Sequence, residues 1–200
     1  SLWQDKEDAF FDDKAAMQLS TIGQYFVGGV LKHIQGLLAL TCPSANSYQR
    51  LAPGHWSSAY ATYGQDNREA AIRIPSTSWG DPASSMNIEL KASDATANPY
   101  LAFAGLLAAG LDGITNHMQP DGYCDVDPAS LSQAERDAKG IQLLPRTLSQ
   151  AVDAFEADSL FQQVFGKQLV DAYAKIKRED DQYYAKLALE KIAALHRELY

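Results

Sequence analysis

From Leu19 to Leu38 apolar side chains return at helical spacing, at Leu19, Ile22, Phe26, Val30, Leu31, Leu37 and Leu38, until Pro43 stops the run. A stripe of that length has to be buried, so it predicts a core helix against which the rest of the chain folds. Gly28-Gly29 falls inside it, where the missing side chains permit close packing. A second period appears further on. Met86, Ile88 and Leu90 alternate with Asn87, Glu89 and Lys91, which predicts a half-buried strand with its three polar residues on one face. In the same way Ala71 and Arg73 share a face while Ala70, Ile72 and Ile74 take the other. Both periods in one chain point to an α+β unit, followed by a helical tail.

Asn98 before Pro99 reads as a helix cap with proline at the first helical position, opening an Ala- and Leu-rich helix to about Ile114. It is too short, and too broken by Asp112, to span a bilayer. Residues 119–146 mix turn formers with charges and predict a surface connection. Thr147 with Gln150 fits a capping box, Leu148, Val152 and Phe155 form the apolar stripe that follows, and Gly166 is the stop. From about Gln168 to Tyr200 the pattern predicts one or two amphipathic helices, with Lys177-Arg178-Glu179-Asp180-Asp181 as a solvated face and Tyr183-Tyr184 as a packing pair. The organisation is therefore a strand and helix part over 1–118, the connection over 119–146, and a helical part over 147–200.

Hydrophobic residues at 46% with 13 glycines are ordinary globular content. The net charge of −8 argues against nucleic acid or an anionic membrane as partner, since both need a basic face. Cys42 and Cys124 lack metal-ligand spacing and read as two structural or free thiols in a reducing, cytoplasmic setting. No pair among His33, His55, His117 and His196 has metal-ligand spacing, and neither a Gly-x-Ser-x-Gly elbow nor a Walker-type phosphate loop occurs.

Between Ile34 and Leu90 the only Arg or Lys residues are Arg50, Arg68 and Arg73. A planar guanidinium can hold phosphate or carboxylate bidentately, which lysine cannot, so three arginines near Glu89 suit an anion that carries a metal. Ordinary ion pairs with Asp66, Glu69 and Asp81 account for the same pattern equally well.

The segments Asn46-Ser47-Tyr48-Gln49-Arg50-Leu51-Ala52-Pro53-Gly54, Asn67-Arg68-Glu69-Ala70-Ala71-Ile72-Arg73-Ile74-Pro75, Ile88-Glu89-Leu90-Lys91 and Ala97-Asn98-Pro99-Tyr100-Leu101 together resemble the C-terminal part of the glutamine synthetase catalytic domain, in the family's order and spacing. Ser1-Leu2-Trp3 and Leu144-Pro145-Arg146-Thr147-Leu148 extend the likeness to both ends. The resemblance implies antiparallel strands packed with helices. It also implies a chain that is about half of an enzyme, begun inside a motif.

By that resemblance the activity is an ATP-dependent ligation that joins glutamate to ammonia or an amine through a γ-glutamyl phosphate, with Mg2+ or Mn2+. Glu89 matches a metal-ligand glutamate. Arg68 and Arg73 match arginines facing the transferring phosphoryl group and the nucleotide phosphates, and Arg50 a substrate-carboxylate arginine. Ser1 and Asn87 fall near the nucleotide, and Lys91 and Trp56 near substrate. The family's proteins form homo-oligomeric rings. Three positions depart from its pattern. His55-Trp56 follows Pro53-Gly54 where the family has an aromatic residue and then the glutamate that accepts the proton of ammonium, and Asn87 and Lys91 replace arginines. The Pro-Gly-x-Trp variant resembles the FluG and nodulin type of glutamine-synthetase-like protein. With that base missing, a non-catalytic scaffold or signalling protein is the alternative, and the fragment by itself is expected not to turn over.

Overall fold

Along the described residues, 1–54, 58–77 and 81–199, the computed structural model runs β1 (Trp3–Gln4), β2 (Glu7–Asp8), α1 (Thr21–Thr41), α2 (Ser47–Arg50), β3 (Tyr60–Gln65), β4 (Ala70–Ile74), α3 (Pro82–Ser85), β5 (Glu89–Leu90), α4 (Pro99–Thr115), α5 (Gln133–Ala138), β6 (Gln142–Leu143), α6 (Leu148–Ala157), α7 (Ser159–Phe165), α8 (Lys167–Tyr184) and α9 (Leu189–Leu199). The chain divides into two units, each assembled from separated stretches. The first comprises Ser1–Lys32, Pro53–Lys91 and Ala109–Leu143, and the second His33–Ala52, Ala92–Ala108 and Leu144–Tyr200.

In the first unit the anticipated core helix is α1, whose Phe26, Val27 and Val30 are buried. Ile22 departs from the expected stripe and is exposed, while Leu19 is buried just ahead of the helix. The glycines explain how α4 comes so near. A Cβ on Gly29 would stand 2.2 Å from the Ala109 carbonyl oxygen and 2.6 Å from the Gly113 backbone. Gly110 leaves the room that the Phe26 ring fills. As anticipated, Asn98 caps α4, its Oδ1 accepting from the N–H groups of Tyr100 (3.0 Å) and Leu101 (3.3 Å).

The main sheet has the order β5-β4-β3-β6. Its outer pairings, β4 with β5 and β3 with β6, are antiparallel as expected, as is the β1–β2 pair. The central pair β3–β4 is parallel, with a register shift between Tyr60 and Tyr63. Only residues 66–69 join these two strands, where parallel neighbours usually need about a dozen residues. Asp66, at φ 52°, helps turn the chain so sharply. Residues 119–146 do more than connect. Ser132 and Glu135 form a capping box at the start of α5, β6 extends the sheet, and Cys124 and Ile141 share a buried cluster with Ala59 and Tyr60.

The second unit is helical. Phe155 and Phe161 stack at 5.3 Å between centroids, and Tyr173 donates its hydroxyl to the Ala39 carbonyl at 2.7 Å. Asp158 separates α6 from α7. One of its carboxylate oxygens caps Leu160 at 2.9 Å and the other meets His33 Nδ1 at 2.7 Å. Thr147 caps α6 as expected, but Gln150 turns its side chain to the Arg146 N–H instead of closing the box. The tail is two helices. Its charged run is not simply solvated: Arg178 pairs with both Asp153 and Glu156 of α6, and Lys177 pairs with Asp180. Among the described residues no helix is long and apolar enough to cross a membrane.

The contact at Gly29 is with backbone, which cannot step aside. Gly29→Ala should therefore lower the unfolding free energy by about 1–3 kcal/mol, read from the urea midpoint. A Cβ at Gly54 would meet nothing within 4 Å, but the residue sits at φ +74°, so Gly54→Ala should cost only backbone strain of about 1–2 kcal/mol.

Candidate functional site

Register brings the first two site residues together. Ile72 lies across from Leu90 and Arg73 from Glu89, and the Lys91 N–H continues the ladder to the Ala71 carbonyl at 2.9 Å. With Ile72 and Ile74 filling the buried face, Arg73 and Glu89 are directed to the other. Their Nη1 and Oε2 atoms lie 2.9 Å apart, with side chains 24% and 42% exposed. The contact is an ion pair without hydrogen-bond alignment. Arg73 Nε and Glu89 Oε2 are both buried and have no hydrogen-bond partner among the described residues.

Asn87 and Lys91 flank Glu89 at two residues' distance, both half-buried. Asn87 donates Nδ2 to the Ser85 carbonyl at 3.0 Å. Arg68 stands on the 66–69 connection with its side chain exposed. Ser1 is exposed, its hydroxyl accepting from Trp3 Nε1 at 2.9 Å. Trp3 and α3 border a cleft of about 340 Å³ lined also by Lys6, Glu7, Asp8, Phe11 and Asp81. Arg50 belongs to the second unit, at the end of α2, and donates Nη2 to the Ser93 carbonyl at 3.0 Å. His55 and Trp56 lie outside the described residues.

Two of the acids that sequence offered as ordinary partners hydrogen-bond to other groups, although Asp66 also lies within the field of Arg73. Asp81 caps α3 through the Ala83 N–H at 3.1 Å. Asp66 accepts from the hydroxyl of Ser76 and from its N–H at 3.0 Å. These bonds, the hydroxyl first, hold the Asp66 carboxyl below the usual carboxylate range. In the second unit, burial pushes the Cys42 thiol up to about 12, with the Asp94 carboxylate adding to the shift, and burial likewise raises Tyr48. Cys42 and Cys124 are both free thiols.

Among the described residues no group of three or more His, Cys, Asp or Glu side chains converges as a metal site. Glu89 offers one carboxylate with a buried oxygen lacking a hydrogen-bond partner, which fits a single metal ligand. Asn67 belongs to one of the resembling segments, yet its sequence position suggested no task for it. Its side chain is buried and makes three hydrogen bonds, to Cys124, Val126 and Glu69.

The profile of the glutamine synthetase catalytic domain matches residues 1–193. The glutamine synthetase of Streptomyces filamentosus is 40% identical over 184 residues, covering 90% of this chain and 38% of that protein. That of Thermococcus kodakarensis is 37% identical over 192 residues, covering 96% and 42%. A crystal structure described as a novel glutamine synthase homolog superposes with a TM-score of 0.79 at 34% identity, over 96% of this chain and 42% of that one. A GmaS/ADP complex gives 0.74 at 35% identity, over 94% and 42%. The chain thus spans about two fifths of the length of these relatives.

Because the folded pKa of Asp66 is lowered, its contribution to stability is complete above the ordinary carboxylate range and is lost as pH falls through the folded value. In Ser76→Ala, an NMR titration of Asp66 should show its midpoint moving up toward the ordinary value of about 3.9.

Proposed function

This chain belongs to the glutamine synthetase catalytic-domain family, and we propose from that premise that it is the part of an ATP-dependent carbon–nitrogen ligase that handles phosphoryl charge. The observation that carries the reading is the cross-strand pair: Arg73 and Glu89 each keep a buried polar atom without a hydrogen-bond partner on one face of the sheet. A structural ion pair would gain by satisfying both. Arg73 Nε suits a phosphate oxygen and Glu89 Oε2 a hard cation.

In the proposed reaction the γ-carboxylate of glutamate attacks the terminal phosphorus of ATP and ADP leaves. The nitrogen of ammonia or an amine then attacks the acyl carbon of the γ-glutamyl phosphate, releasing phosphate. A divalent metal, Mg2+ or Mn2+, bound at Glu89 would neutralise phosphate charge. Arg73 and Arg68 stabilise charge on the transferring phosphoryl group, and Arg73 also holds the nucleotide phosphates. Arg50 and Lys91 bind the acid substrate. Ser1 and Asn87 attend the nucleotide. The full-length protein is a cytoplasmic homo-oligomeric ring.

Trp56 stands where the family's proton-accepting glutamate belongs, so a bulky apolar ring replaces both the cation partner and the base of ammonium. We infer that the acceptor is an amine with an apolar substituent.

The test is ADP release by the full-length protein with ATP, glutamate and a panel of acceptors. Apolar amines should outperform ammonium in the wild type, and Trp56→Glu should shift preference toward ammonium. Arg73→Lys keeps the charge but loses the fork, so kcat should fall roughly tenfold to a thousandfold with folding unchanged. Full activity in Arg73→Lys would return Arg73 to a structural ion pair. Failure of every acceptor would favour a non-catalytic scaffold.

A further inference from the structure

We propose that Asn67 is a positioning residue for Arg68, gripping the backbone of residues 124–126 so that the arginine's turn has one setting. The inference rests on the phosphoryl role proposed above for Arg68. Both amide protons of Asn67 are used: Nδ2 donates to the carbonyls of Cys124 at 2.8 Å and Val126 at 2.9 Å. Its Oδ1 accepts from the Glu69 N–H at 2.9 Å. The three bonds straddle Arg68, fixing the peptides on either side of an exposed side chain from a residue that is itself only 8% exposed.

The surface that Asn67 grips is itself tied to β3. Cys124 donates its N–H to the Tyr63 carbonyl at 2.9 Å, the Thr62 hydroxyl donates to the Gly122 carbonyl, and the Tyr63 and Tyr123 rings meet edge to face at 5.6 Å. Gly64 is needed for that approach, since a Cβ there would lie 2.0 Å from the Cys124 carbonyl oxygen. The Cys124 thiol, 1% exposed, donates to the Val126 carbonyl at 3.2 Å. Residues 122–126 therefore form a fixed rail beside β3, and Asn67 sets the Arg68 turn on it.

Asparagine is specific to this task. Asn67→Ala removes all three bonds. Asn67→Asp keeps an acceptor for Glu69 but places a carboxylate against two carbonyl oxygens, so it preserves the local turn and breaks the grip.

The first arm uses Cys124 as reporter in the full-length protein, with alkylation followed by peptide mass spectrometry and Cys42, in the other unit, as reference. Both variants should raise the Cys124 rate about tenfold, the loss of roughly one to two hydrogen bonds, while Cys42 is unchanged. A Cys124 rate that stays put, or rises together with Cys42, overturns the grip. The second arm measures ligase kinetics in the full-length protein. Both variants should lower kcat about tenfold with the KM for ATP within about twofold, and Arg68→Lys should add little on top of Asn67→Ala. Release of Cys124 with kcat unchanged overturns the positioning role. Release of Cys124 in a protein without ligase activity supports the grip and overturns the functional reading instead.

Discussion

The register of β4 against β5 decides what the polar face of the first unit can do. With Ile72 opposite Leu90, Arg73 falls opposite Glu89, where directly paired residues have their Cβ atoms about 4.5–5.5 Å apart. A slip of β5 by one residue would carry Glu89 away from Arg73 to the face that Ile72 and Ile74 fill. The apolar side of the strand thus enforces the placement of the charged side. The arrangement leaves Arg73 Nε without a hydrogen-bond partner and Glu89 Oε2 held only through its ion pair at 2.9 Å.

Elements whose signals lie within a few residues were readable from the sequence. The Asn98-Pro99 start of α4, the alternation that puts Arg73 on one face and Ile72 on the other, and the need for bare backbone at Gly28-Gly29 are all local statements, and each has its counterpart in a hydrogen bond, a burial or a close approach. The pairing of Arg73 with Glu89 was half readable: each residue's face followed from its own strand, but the register did not. Asn67 was not readable, because its partners lie 57 and 59 residues away and nothing in the intervening sequence points at them. The parallel β3–β4 pair ran against expectation for a related reason. Its tight connection depends on Asp66 and on the neighbouring rail, not on any standard turn sequence.

Charge followed the same division. Lys177-Arg178-Glu179-Asp180-Asp181 has the composition of a solvated face, yet Arg178 reaches two acids of α6 and Asp181 accepts from Ser149. Composition gives the polarity of a helix face. It does not say whether another helix lies within reach of it. Asp158 shows the economy that results when one does, capping α7 with one oxygen and meeting His33 with the other.

The interleaving of the two units along the chain has a consequence in time. As the polypeptide leaves the ribosome, the first unit cannot close until residues 109–143 have followed 1–32 and 53–91, and the second waits for residues 144–200. Neither can fold behind the other in the order of synthesis, as units contiguous in sequence do. Long loops must close before most native contacts reward them, which slows collapse to the native state. Until then the apolar face of α1 has no partner from α4. A nascent chain of this design carries α1 uncovered until α4 follows it, and that interval is where chaperone demand and aggregation risk would concentrate.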